Sequence, residues 1–336
     1  MKLVKLDSTQ NAAAVQALWA VISGNGRIEP TPAEVASIEA IQRHIFLQDP
    51  GIAGAPGPLP ANLVAALPTP ELRLTLVRLM AMLPPIDKKM RLEKIEVVEQ
   101  AAARLGVDEF GVTMLRKVAK GQANRIMFKL MKRFVDHYWP IGGEPQAREW
   151  VSLAWSVMPW FPGLRRWLRL DELLDNYRGL VKLPPGTLGH EVHRFYAANG
   201  FPIPGTKGSI PEGWARHEIY HIISNYKPSM MGEMLLAAFI AGNTKHMALD
   251  VALPALIQLH AGIKFAPGPM GEDLFLPDPF FRAMARGAAM DVDLLAGWRL
   301  WEHAAVDLDE LRGRYRLPAI TEDERRALAP HDAVLA

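Results

Sequence analysis

Apolar residues return along this chain at intervals of three and four. Leu72, Leu76, Leu79, Met80 and Leu83 form one stripe, and Ile95, Val98, Ala101, Ala102 and Leu105 form another. That spacing lines up side chains on one face of an α-helix. No convincing run alternates apolar and polar residues with the period of two that a half-buried strand needs. The expected fold class is therefore all-α. Pro and Gly gather near residues 48–60, 139–145 and 183–213 and mark loops or linkers. A length of 336 residues suggests about two domains. The breaks suggest a helical domain over 1–140 and connecting helices rich in Trp and Arg over 141–183. A second helical domain over 184–320 and a tail over 321–336 follow.

Composition narrows the chemistry. The chain has no cysteine, which excludes disulfides, a thiol nucleophile and thiolate-held zinc or iron–sulfur clusters. Any metal must be held by His, Asp, Glu or backbone oxygen. A net charge of +2 does not announce a nucleic-acid partner, and none is expected. The first residues, Met-Lys-Leu-Val-Lys, lack the apolar core of a secretory signal. No stretch approaches the roughly 18 apolar residues of a membrane-spanning helix. A reduced, cytoplasmic compartment is expected, with attachment to a membrane surface left open.

Two segments bear on that attachment. Residues 116–133 carry Arg116, Lys117, Lys120, Arg125, Lys129, Lys132 and Arg133 with no acid among them, interleaved with Leu115, Val118, Ile126, Phe128, Leu130 and Met131. Such a basic amphipathic helix either lies on an anionic membrane or is a solvated helix face. Trp150, Trp155, Trp160 and Trp167 then fall close together beside Arg165, Arg166 and Arg169. Tryptophan suits a membrane–water interface, and it equally fills cores and domain contacts.

The sharpest chemical signal is Arg216-His217-Glu218-Ile219-Tyr220-His221. On a helix, His217 and His221 stand one turn apart on the same face and can share a metal. Pro228 should break that helix, and Ser229 should cap the next. Glu233 is the only charged residue from Ser229 through Thr244. A lone carboxylate on so apolar a helix is costly to bury unless it is paired or bound to metal. A helix–turn–helix would fold Glu233 back towards the two histidines, and Ala237, Ala238, Ala241 and Gly242 would let the helices pack closely. His190 and His193, near Gly189, either reach the site or cap a helix start and face solvent. His246 and His260 read as histidines of an apolar segment.

His-Glu-x-x-His, eleven residues and then Glu233 resembles the zinc-ligand motif of the coenzyme Q biosynthesis protein 4 family. That family usually has Asp where this chain has Glu218. The resemblance spans roughly residues 170–320. It takes in Pro184-Pro185-Gly186-Thr187-Leu188-Gly189 upstream, and Trp298, Trp301-Glu302, Leu308, Leu311 and Arg312 downstream. Roughly residues 10–135 more loosely resemble the tellurite-resistance TerB-like helical domain. They repeat a helix, a short polar turn and a helix opening with an acid, through Gly24-Asn25-Gly26 and again through Pro85-Ile86-Asp87.

The first resemblance implies a helical metal domain in ubiquinone assembly, peripheral to the inner face of a membrane. Its ligands would be His217, Glu218, His221 and Glu233, its cofactor a divalent ion such as zinc, and Glu218 a ligand or a general base. The implied activity is loss of the ring carboxylate from a prenylated aromatic precursor, with hydroxylation at that carbon. Arg216, Tyr220 and His190 are the candidate substrate contacts. Met230, Met231, Met234, Leu235 and Phe239 either receive a lipid tail or form core. The implied partners are the quinone precursor, other quinone-biosynthesis proteins and the membrane, and a homodimer is compatible with them. Two other readings stand beside this one: a prenyl-lipid-binding scaffold with a structural metal, and a zinc metallopeptidase.

Overall fold

The computed structural model describes residues 1, 3–49, 54–138, 140, 151, 168–206, 209–264 and 270–331. The all-α expectation holds. Every regular element among the described residues is helical, and the only β-type contact there is an isolated bridge between Thr187 and Asp307. No described helix is long and apolar enough to cross a membrane. Trp150, Trp155, Trp160, Trp167, Arg165 and Arg166 lie outside the described residues.

Packing sorts the chain into two compact units that do not follow chain order. The first takes Met1–Lys129, Lys227–Ala289 and Ile320–Ala336, and the second Leu130–Tyr226 and Met290–Ala319. The consecutive blocks read from the loops are a different partition. Loops mark where the chain turns, whereas units form where apolar faces find partners.

The first unit begins with α1 (Ser8–Ile22), α2 (Pro32–His44), α3 (Leu63–Ala66), α4 (Pro70–Met82), α5 (Leu92–Leu105) and α6 (Phe110–Ala119). The helix α7 (Ala123–Arg133) begins in it and runs past its edge. The two apolar stripes of the sequence become core. Leu76, Leu79, Met80 and Leu83 are buried, as are Ile95, Val98, Ala101, Ala102 and Leu105, while Leu72 is half-buried.

One buried charge cluster ties these helices together. Glu34 closes a capping box at the start of α2, accepting from the Thr31 backbone N–H at 2.9 Å and the Thr31 hydroxyl at 3.0 Å. Its other oxygen accepts from the Lys94 ammonium of α5. Lys94 also donates to Asp87 at 2.6 Å, and the side chains of Lys94, Glu34 and Asp87 are 1%, 0% and 3% exposed. Asp87 belongs to the polar turn Pro85-Ile86-Asp87, so the carboxylates of this region already hold a cation, the lysine.

The unit is completed by α11 (Met230–Asn243), α12 (Ala248–Ala255), α13 (Pro277–Ala288) and α16 (Glu322–Leu328). Backbones of α11 and α13 touch through paired glycines. A Cβ on Gly242 would stand 1.9 Å from the Met284 carbonyl oxygen, and one on Gly287 would stand 2.0 Å from that of Phe239. Met231, Met234, Leu235 and Phe239 of α11 are buried, and Met230 is half-buried. The second unit holds α8 (Leu170–Gly179), α9 (Leu188–Asn199), α10 (Glu212–Ser224), α14 (Leu300–His303) and α15 (Leu308–Arg314).

The Lys94→Ala variant strands the buried Glu34 carboxylate without its cation and leaves Asp87 only Arg91, at a cost of about 3–5 kcal/mol. Equilibrium urea unfolding should show that loss. A change below about 1 kcal/mol, the scale of an exposed pair, would mean the cluster is not the buried brace described here.

Candidate metal centre

Helix α10 carries the His-Glu-x-x-His motif, and the second unit braces that helix at both ends. At its start, Glu212 accepts from the Trp301 indole N–H at 3.1 Å. At its end, Arg312 donates to the carbonyls of Ile222 at 2.7 Å and Ile223 at 3.0 Å. A cation on the last free carbonyls satisfies groups that the helix itself cannot bond and complements its dipole. The Gly186–Gly189 stretch sits against the chain before α15. Leu188 and Gly189 donate to Val306 and Ala304 at 2.8 Å each, and Leu308 donates back to Gly186 at 2.9 Å. The sequence segments that prompted the family resemblance therefore meet one another beside α9, α10 and α15.

Within α10 the two imidazoles face each other edge to face, with ring centroids 5.0 Å apart. His221 is 1% exposed, and the Phe195 ring lies nearly parallel to it at 5.8 Å. The Nδ1 of His221 is 3.0 Å from the Tyr226 carbonyl oxygen. A carbonyl only accepts, so Nδ1 carries the proton and Nε2 keeps its lone pair. That is how histidine ligands are commonly oriented.

The connection to Glu233 is short and tightly made. The helix α10 ends earlier than Pro228 alone would impose, at Asn225, whose φ of 64° is left-handed. Ser229 then caps α11 as expected, accepting from Gly232 N–H at 3.1 Å. Gly232 is needed because a Cβ there would stand 1.7 Å from the Lys227 carbonyl oxygen. Glu233 follows in the first turn of α11. One ligand atom each from His217, His221 and Glu233 lies within 4.8 Å of the others. Donors around a tetrahedral zinc stand about 3.3 Å apart, a difference that side-chain torsions can close. Two imidazole nitrogens and one carboxylate suit zinc and several other divalent ions.

The other expected site residues are placed differently. Glu218 is not in the three-residue donor group. It follows His217 by one position, which turns it about 100° around the helix. Arg216 is buried and donates to the carbonyls of Pro140 at 2.9 Å and Tyr138 at 3.4 Å, and burial lowers its pKa. Tyr220 is fully buried, and burial raises its phenol pKa well above the usual value. His190, near the start of α9, has a buried Nδ1 with no hydrogen-bond partner among the described residues. His260 is buried, with Nε2 2.9 Å from the Ile86 carbonyl, and burial lowers its pKa; His246 is exposed. Sequence reasoning did not single out Tyr226 as a backbone acceptor, nor Phe195 as a stacking ring. Gly232 carried a signal, a glycine immediately before the lone acid of an apolar helix.

Known proteins give sparse relatives. No family model matches, and no curated protein matches. A solved structure from Nostoc punctiforme PCC 73102, provisionally named a ubiquinone biosynthesis protein, is 18% identical. The likeness covers 62% of this chain and 95% of that one at a TM-score of 0.33. This chain therefore has a distant structural neighbour with a ubiquinone-biosynthesis name.

Gly232 makes the turn that leads to Glu233, so if the three donors hold zinc, Gly232→Ala should weaken that binding about 10–100-fold, the range for a displaced supporting group. Chelator-competition titration of the refilled protein measures this. Unchanged affinity would mean that Glu233 is not a ligand.

Proposed function

We propose that this chain is a divalent-metal enzyme of the ubiquinone-biosynthesis type, acting on a prenylated aromatic acid. The observation that carries the reading is the His217, His221 and Glu233 donor set, with the His221 tautomer preset by the Tyr226 carbonyl. The substrate class rests on the resemblance of residues 170–320 to the coenzyme Q biosynthesis protein 4 family. The Nostoc neighbour bears a name of the same kind, but its overlay is too distant to add weight.

A bound ion would supply Lewis acidity towards the ring carboxylate and neighbouring oxygens. The chain's own groups do the rest. His221 keeps its lone pair pointed away from Tyr226, and His217 and Glu233 are half-buried, so ligand can reach them from outside. Glu218, outside the donor group and half-buried, is the proton acceptor for a ring hydroxyl or a water. In this reading Arg216 and Tyr220 hold the helix in place and do not touch ligand, because Arg216 is spent on two carbonyls and Tyr220 is fully buried. Replacement of a ring carboxylate by hydroxyl releases CO2 and is a two-electron oxidation, so a two-electron oxidant such as molecular oxygen must be supplied from outside these side chains.

Glu218→Gln separates the enzyme from a scaffold with a structural metal. The enzyme reading expects metal content and folding to stay intact, while turnover of a prenylated hydroxybenzoate falls about 100-fold or more. Elemental analysis and a product assay read this together. Unaltered turnover would remove Glu218 from the chemistry. No turnover in wild-type protein loaded with metal would favour the scaffold.

A further inference from the structure

The basic helix of the first unit has a feature that a merely solvated face does not need. Phe128, in the middle of α7, is 73% exposed, the most exposed of the large apolar side chains among the described residues. Arg125, Phe128, Lys129 and Lys132 lie within about 100° of one another around the helix and are all exposed. Lys117 and Lys120, just before it, are exposed too. Among the described residues Arg125, Lys129, Lys117 and Lys120 have no acidic partner, and only Lys132 is paired on this face, with Asp136. Met131 and Met127 lie on one flank of the phenyl and are half-buried, and Ile126 and Leu130 are buried beneath. Apolar surface therefore runs from the exposed phenyl down that flank to the core, and Lys132, Arg125 and Lys129 line the other.

We propose that this face of α7 docks the protein on an anionic lipid surface, with Phe128 inserted among the acyl chains and the lysines and arginine at the headgroups. Charge complementarity identifies the occupant, since a polybasic face gains from the negative potential of an anionic bilayer. The phenyl decides between an anionic membrane and a nucleic acid. A phenyl bordered by cations on one side and continuous with apolar surface on the other is stabilised by entering hydrocarbon. The inference does not depend on the metal centre or on the reaction proposed for it.

The test is flotation of the full-length protein with vesicles of phosphatidylcholine alone, and of phosphatidylcholine with 30 mol% phosphatidylglycerol. Binding is expected to the second and not to the first, and to fall as salt is raised. Each cation near the surface contributes about five-fold, so Arg125→Ala with Lys129→Ala should weaken binding about 25-fold. Phe128→Ser should weaken it about ten-fold with the salt dependence unchanged. These residues are exposed, so circular dichroism should report unaltered folding. Phe128→Trp adds a direct readout, an emission blue shift on mixing with the anionic vesicles. No flotation with anionic vesicles would overturn the proposal. So would equal binding by the Phe128→Ser and wild-type proteins, or binding to duplex DNA with no binding to vesicles.

Discussion

The hydrogen bond from Nδ1 of His221 to the carbonyl of Tyr226, 3.0 Å long, joins two events at one place. It fixes which imidazole nitrogen is free to coordinate. It also ties the end of α10 to the first residues of the turn that leads to Glu233. A helix end leaves carbonyls without intrahelical partners, and here those carbonyls are used. Arg312 takes Ile222 and Ile223, and the histidine itself takes Tyr226. The buried ring, the Phe195 stack and the left-handed Asn225 all follow from ending the helix in that position.

The first unit meets a different demand with similar means. Glu34 and Asp87 are carboxylates brought to one buried point by two turns, and Lys94 between them, with Arg91 3.2 Å from Asp87, balances their charge. The α10–α11 connection brings a carboxylate beside two imidazoles, a donor set that suits a divalent ion. That contrast in donor chemistry is the physical reason to place a metal at His217, His221 and Glu233 and not in the turns of the N-terminal helices.

Much of the site was legible before any coordinates. The i, i+4 spacing of His217 and His221 needs only helical geometry. Glu233 stood out because no other charge shares its helix, and Ser229 after Pro228 announced the new start. The Tyr226 carbonyl was harder, because a backbone acceptor leaves no mark in residue type, and Gly232 marked a close approach without naming the carbonyl that approaches it. Glu218 stands one position from His217, about 100° around the helix, and lies outside the three-residue donor group. Helical fold class was legible from periodicity. The discontinuous units were not, because the stripes of α5 and α11 say that each buries a face and are silent on which partner it chooses. The Gly242 and Gly287 contact, 45 residues apart in sequence, shows how such a choice is made by close backbone approach.

X-ray absorption spectroscopy of the zinc-loaded protein tests the central claim most directly. The account predicts two imidazole nitrogens at about 2.0–2.1 Å and carboxylate or solvent oxygen at about 2.0–2.2 Å. It also predicts loss of one imidazole shell in His221→Ala. A zinc shell of oxygen alone, or a spectrum unchanged by His221→Ala, would contradict it.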